Sequence, residues 1–277
     1  GDEVIVPAFT FFATAGAVLA IGAVPVLADV GEDALLDAAS AGEAAGPRTR
    51  AVIPVHLFGS RWEPVDLGVP IVDDAAQAIG TEPTPCTGAL TVLSAYPTKT
   101  WGAAGDAGFV AGDDEELLAR IRSLAAHGSR APGHHGREQG HAGRASRLDA
   151  VQAAVLVGHA EVLGERIARR RALASRYDEG LPDWVRPLPR SSGCAVHQYV
   201  VRVQRRDEVG AALAQADVGS AVYYPRPLTA QPALDGCPRR PTPVAERLAD
   251  EVLALPVADC GPDDVDRVCE VLRGLRS

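Results

Sequence analysis

One residue stands apart for its chemistry. Of 27 basic residues, 26 are arginine and one is lysine, Lys99. Arginine stays protonated and cannot act as an amine nucleophile, whereas a lysine with a lowered pKa can. A coding bias toward arginine replaces lysine without loss wherever only positive charge is needed. The lysine that survives it is a candidate for Schiff-base formation; the bland alternative is a chance survivor on an exposed turn. Its surroundings, Ser94-Ala95-Tyr96-Pro97-Thr98-Lys99-Thr100-Trp101-Gly102, follow a buried apolar run and bring two hydroxyls, Ser94 and Thr98, near the amine. Hydroxyls and free backbone N–H groups suit a phosphate.

A second candidate is Ile71-Val72-Asp73-Asp74-Ala75-Ala76-Gln77. It places carboxylates at the C-terminal end of a buried strand, where ligands bind in open α/β sheets. The alternative is a helix N-cap, with either aspartate satisfying free N–H groups. Gly102-Ala103-Ala104-Gly105-Asp106-Ala107-Gly108 fits neither GxGxxG nor a Walker A loop. It is expected to serve tight backbone packing beside the lysine loop, and it argues against a nucleotide-binding dehydrogenase. His127, His134, His135 and His141 cluster, but their spacing fits no HExxH or zinc-finger pattern, so no metal site is expected. The run Arg169-Arg170-Arg171 is expected on a solvated helix face.

These residues need elements to position them. Short β-rich runs alternate with Ala-rich stretches: strands at 4–6, 25–30, 51–58, 70–73, 90–96 and 106–111, and helices at 10–21, 33–45 and 113–127. This alternation indicates an α/β domain with a mostly parallel sheet. A long helix is expected over 147–178 and a Pro-containing linker over 182–193. Beyond it lie strands at 196–203 and 220–224 and helices at 207–216, 244–253 and 262–275. The expected organisation is a large domain over 1–180 and a smaller C-terminal α/β domain over 181–277.

Composition narrows the function. With 277 residues the chain has ample core without disulfides or metals. A net charge of −9 argues against a general nucleic-acid binder. No apolar run reaches the roughly 18 residues of a membrane span, and the N-terminus has no basic region of a signal peptide. The cysteines, Cys86, Cys194, Cys237, Cys260 and Cys269, form no CxxC and are expected as free thiols in a reducing compartment, the cytoplasm. The chain opens on Gly and contains no Met, so a missing N-terminal segment is expected.

The segments GDEVIVPAFTFFATAGAV, AVIPVHLFG, VDDAAQAIG, SAYPTKTWGAAGDAG, SRLDAVQAAVL and AERLADEVLALP occur in the order and spacing of the sugar aminotransferases, which the chain resembles over nearly its whole length. These are pyridoxal-phosphate enzymes of fold type I, acting in amino-sugar, antibiotic and surface-glycan biosynthesis. The resemblance implies a three-layer α/β/α large domain with a smaller C-terminal one. It also implies transamination of a keto sugar, nucleotide-linked, or of a keto cyclitol, with glutamate or glutamine as donor. A homodimer with shared active sites is implied too. Residue by residue, Lys99 matches the Schiff-base lysine, which also moves the proton between cofactor and substrate. Asp74 matches the acid paired with the pyridinium nitrogen, and Gln77 the hydrogen-bond partner of the ring hydroxyl. Ser94 matches a phosphate ligand and Phe11 the aromatic stacked on the ring. There are departures. The upstream Ser-Gly-Thr phosphate turn is absent, and Ala145 stands where the family has an Asn that reaches the partner subunit's phosphate. Ile79, Tyr223 and Thr229 replace family histidines. A rival is a degenerate member acting as a pyridoxal-phosphate-binding regulator or partner subunit, which would have no reason to keep Lys99. A related sugar dehydratase would carry His in its place.

Overall fold

The computed structural model describes residues 1–129 and 142–275. The N-terminal half builds one sheet. β1 (Glu3–Pro7) lies between β2 (Val24–Ala28) and β3 (Thr49–Val52), all parallel. Parallel bridges Val52–Ile71 and Val55–Asp74 carry the order on to β4 (Val72–Asp74). β5 (Leu90–Ser94) pairs parallel to β4, and β6 (Gly108–Ala111) closes the edge antiparallel. The expected mostly parallel sheet is thus present, with β6 its exception. β1 is buried at every position, as expected of a parallel strand covered on both faces.

Helices α1 (Ala13–Ala20), α2 (Ala38–Ala44) and α3 (Glu115–Ala125) occupy the expected stretches with shorter bounds. Asp114 caps α3 by accepting from Leu117 N. α4 (Ala150–Gly180) has 31 residues, is capped by Asp149, and spans roughly 46 Å at the helical rise. A small antiparallel sheet follows, β7 (Arg186–Pro187), β8 (Tyr199–Arg202) and β9 (Val252–Leu255). Helices α5 (Arg206–Gln215), α6 (Pro243–Glu251) and α7 (Pro262–Gly274) complete the chain.

Several expected bounds differ. In the run 51–58 the regular strand ends at Val52, the chain stays beside β4 through the Val55–Asp74 bridge, and it then enters a 3-10 turn at Leu57–Gly59, where Phe58 has φ 58°. The expected strand 220–224 is a single bridge, Ala221–Ala254. Leu253, expected in a helix, lies in β9, whose four residues are all buried. Apolar runs this short do not distinguish helix from strand.

Two large cores and a small cluster of Ala95, Ala103 and Leu156 hold the described residues together. One large core joins β1–β3 and α2 to Leu188, Val200, Leu228 and Leu248. The other lies between the C-terminal half of α4, the small sheet, α5 and α7, around stacked Tyr177 and Tyr199. Among the described residues, no helix is long and apolar enough to cross a membrane, and all five cysteines are free.

Candidate active site

A cavity of ≈ 1160 Å³ opens at the C-terminal ends of β4 and β5. Its wall includes the five residues that the resemblance assigns to the site, Phe11, Asp74, Gln77, Ser94 and Lys99, but not Asp73. Phe11 follows β1, Asp74 ends β4, Ser94 ends β5, and Lys99 sits in the loop after it. This is the end of the sheet where doubly wound folds bind ligands.

Successive side chains on a strand point to opposite faces, and this separates the two aspartates. Asp73 is fully buried. Its carboxylate accepts from Thr87 N (2.8 Å), Gly88 N (2.8 Å) and Thr87 Oγ1 (2.9 Å). His56 Nε2 donates to it at 3.1 Å, because His56 Nδ1 already accepts from Trp62 N at 3.0 Å. Burial raises its pKa, but these hydrogen bonds outweigh burial and hold the carboxyl below its usual range. Asp74 faces the cavity. Thr14 Oγ1 of α1 donates to its Oδ2 at 2.8 Å, and Ala76 N to its Oδ1 at 3.2 Å. Neither aspartate caps a helix: Asp73 ties β4 to the turn before β5, and Asp74 closes its own short turn.

Lys99 makes no side-chain hydrogen bond or ion pair among the described residues. Burial lowers its pKa, and the charge of Asp74 partly offsets this. A half-buried amine facing one carboxylate at longer range has the environment of a nucleophile rather than of an exposed turn lysine. The glycine stretch holds its loop tightly. A Cβ on Gly102 would lie 2.4 Å from Pro97 O and 3.1 Å from Tyr96 O. Only glycine fits there without displacing the lysine loop.

Gln77 is locked at both ends. Its Oε1 accepts from Phe58 N at 2.6 Å, and its Nε2 donates to Tyr224 OH at 3.3 Å. Phe11 is 59% exposed, its ring 6.0 Å from that of Tyr224. Large aromatic rings in folded proteins are usually well covered; this one presents a bare face to the cavity. Ser94 Oγ accepts from Tyr96 N at 3.3 Å. Ala145 is exposed and bridges Ala126 through its backbone.

Sequence reasoning missed Thr14, Tyr224, Arg170 and His197, all of which line the cavity. The expected solvated face of Arg169–Arg171 holds for Arg169, which is exposed, and fails for Arg170 and Arg171. Arg170 is 9% exposed and donates to Val196 O and His197 O, while Arg171 donates to Gly80 O, Gly193 O and Cys194 O. A basic triplet looks solvated in sequence; here its guanidinium groups donate to loop carbonyls. His134, His135 and His141 lie outside the described residues.

The chain matches the DegT/DnrJ/EryC1/StrS aminotransferase family over residues 1–273. It is 38% identical to a UDP-N-acetyl-3-dehydro-alpha-D-glucosamine 3-aminotransferase from Acidithiobacillus ferrooxidans, over 99% of this chain and 77% of that protein. Among solved structures it is similar to S. venezuelae DesV in complex with a ketimine intermediate (36% identity, TM-score 0.89, covering 99% of this chain and 78% of that one). It is also similar to NtdA from Bacillus subtilis with bound PMP (28% identity, TM-score 0.89, covering 99% and 67%). Its α/β fold is that of the pyridoxal-phosphate-dependent sugar aminotransferases. With the match running through both halves of the cavity wall, the chain belongs to the DegT/DnrJ/EryC1/StrS aminotransferase family.

Proposed function

We propose that this protein transfers an amino group from glutamate or glutamine to a nucleotide-linked keto sugar or to a keto cyclitol. The observation that carries the reading is the placement of the only lysine in a cavity with Asp74, Gln77 and a bare Phe11 ring. The names of the relatives support the sugar.

The residues fit pyridoxal phosphate. An aromatic platform, a carboxyl held by Thr14, an amide with one free N–H and an unpartnered amine are what its ring end requires. Asp74 would face the ring nitrogen, Gln77 the ring hydroxyl, Phe11 the ring face, and Ser94 the phosphate. When bound, the group supplies an electron sink for the carbon that loses its proton. Thr14 and Ala76 N orient Asp74. Lys99 Nζ, with its pKa lowered by burial, takes the proton from the donor's α-carbon and later delivers one to the sugar carbon. Tyr224, whose hydroxyl burial keeps protonated, fixes Gln77. The chain further divides, in this reading, into domains 1–180 and 181–277 with the cavity between them. It acts as a cytoplasmic homodimer.

Borohydride reduction of the protein loaded with pyridoxal phosphate tests this. Peptide mapping is unambiguous with one lysine: label on Lys99 is expected, and none in Lys99→Arg, which keeps charge without nucleophilicity. Label only on the N-terminal amine, or nowhere, favours the non-catalytic reading.

A further inference from the structure

One part of the cavity wall is not explained by holding the cofactor. It comes from α4 and from the segment just before β8, and it carries Arg170 and His197. His197 is 7% exposed. Its backbone is fully used: N–H donates to Phe58 O at 2.9 Å, and its carbonyl accepts from Arg170 Nη1 at 2.9 Å. Its ring is not. Nδ1 is buried without a partner, and Nε2 makes no hydrogen bond among the described residues. A buried polar atom left unpaired costs about 1–3 kcal/mol, and an aliphatic side chain of similar volume would fill the space without that cost.

Arg170 presents a related imbalance. Nη1 donates to two carbonyls, Val196 O at 3.2 Å and His197 O at 2.9 Å. No carboxylate lies within ion-pair distance among the described residues; Asp259, also on the cavity wall, acts on it only at longer range. Lys99 and Arg170 both act on the imidazole, and with burial they keep it neutral, so it can donate one hydrogen bond without adding charge. A permanent cation that is nine-tenths buried, unpaired, and beside an unpartnered N–H donor suits a small planar anion.

We propose that Arg170 and His197 form the seat for a carboxylate of the amino donor. This rests on the aminotransferase reading and deepens it. The nucleotide-linked keto sugar carries its anionic diphosphate on the nucleotide linkage rather than on its reacting carbon, and a keto cyclitol carries no such group. An amino-acid donor carries a carboxylate on the very carbon whose amine reacts, and the Lys99 amine lies close enough to act electrostatically on His197. Arg170 supplies charge and His197 supplies direction.

The test is calorimetric titration of the full chain, with and without pyridoxal phosphate, using glutarate and its uncharged diamide. Glutarate is expected to bind at least about tenfold more tightly than the diamide. Arg170→Gln keeps donors for the two carbonyls but removes the charge, and should weaken glutarate about tenfold to a hundredfold. His197→Leu should weaken it about tenfold, while leaving the ligand-free melting temperature unchanged or higher, because the unpaired polar atoms are gone. If Arg170→Gln fails to fold, His197→Leu and the diamide comparison still decide. Equal binding of glutarate and diamide, or unchanged glutarate affinity in the folded variants, overturns the seat. Borohydride label on Lys99 with such a result leaves the aminotransferase reading intact; absence of that label counts against that reading whatever glutarate does.

Discussion

His197 makes stability depend on pH in a window that can be worked out beforehand. Burial first, then the charges of Lys99 and Arg170, push its pKa from 6.5 down to about 3. Its folded form therefore resists a proton that the unfolded chain accepts. A group of this sign contributes stability that is full above about 6.5 and is lost as pH falls toward 3. At pH 5 the unfolded histidine is almost wholly protonated and the folded one almost wholly neutral. Linkage then gives a loss of about 2 kcal/mol relative to pH 7.5. Other histidines and carboxylates also titrate in this range, so the quantity to measure is a difference. Urea unfolding of the protein and of His197→Leu, each at pH 7.5 and pH 5, cancels the groups they share. Wild type should lose about 2 kcal/mol more than the variant between the two pH values. Equal losses would mean that the imidazole is protonated in the folded state, and the account of a neutral hydrogen-bond donor beside Arg170 would fail with it.

Other predictions concern the two aspartates. Asp74→Asn should leave Lys99 labelled by borohydride but slow half-reactions with the amino donor severely, since a neutral partner no longer holds the ring-nitrogen proton; stopped-flow rates matching wild type would remove Asp74 from that role. Asp73→Asn should fold less stably by about 3 kcal/mol in urea, because an amide that keeps its oxygen on the Thr87 and Gly88 N–H groups must turn its own N–H groups toward the His56 Nε2–H donor. A change under about 1 kcal/mol would show that this network relaxes around the amide.

How much of this was visible in the sequence differs by residue type. Lys99 was visible because a biased composition turned one side chain into a signal. Asp73 and Asp74 were visible as a pair, but not as separate functions. That division follows from strand alternation, and it needs the register of β4 against β5, which no local pattern fixes. Arg170 and His197 were hidden for a different reason. An arginine in a basic run and a histidine before an apolar strand are ordinary in sequence; their burial comes from contacts between residues some 26 positions apart and more. Strand ends in the C-terminal region were misplaced where apolar runs of four residues fit either period, as in β9.

The aspartate pair also explains why the site needs an acid that never touches a ligand. Asp73 holds the amides of Thr87 and Gly88, which open the path into β5, and β5 ends at Ser94, five residues before Lys99. On the other side, His56 links the same carboxylate to Trp62, whose indole N–H donates to Leu36 O in the first core. One buried charge thus ties the strand carrying Asp74 to the strand that leads to the lysine, and ties both to the core. The backbone between the two aspartates is a single extended step, so fixing one aims the other. The cavity-facing carboxyl then needs only the Thr14 hydroxyl and one turn amide to hold its orientation. A lone aspartate at position 74, with an apolar residue at 73, would keep the same chemistry in sequence. It would lose the restraint on where that chemistry points relative to the amine.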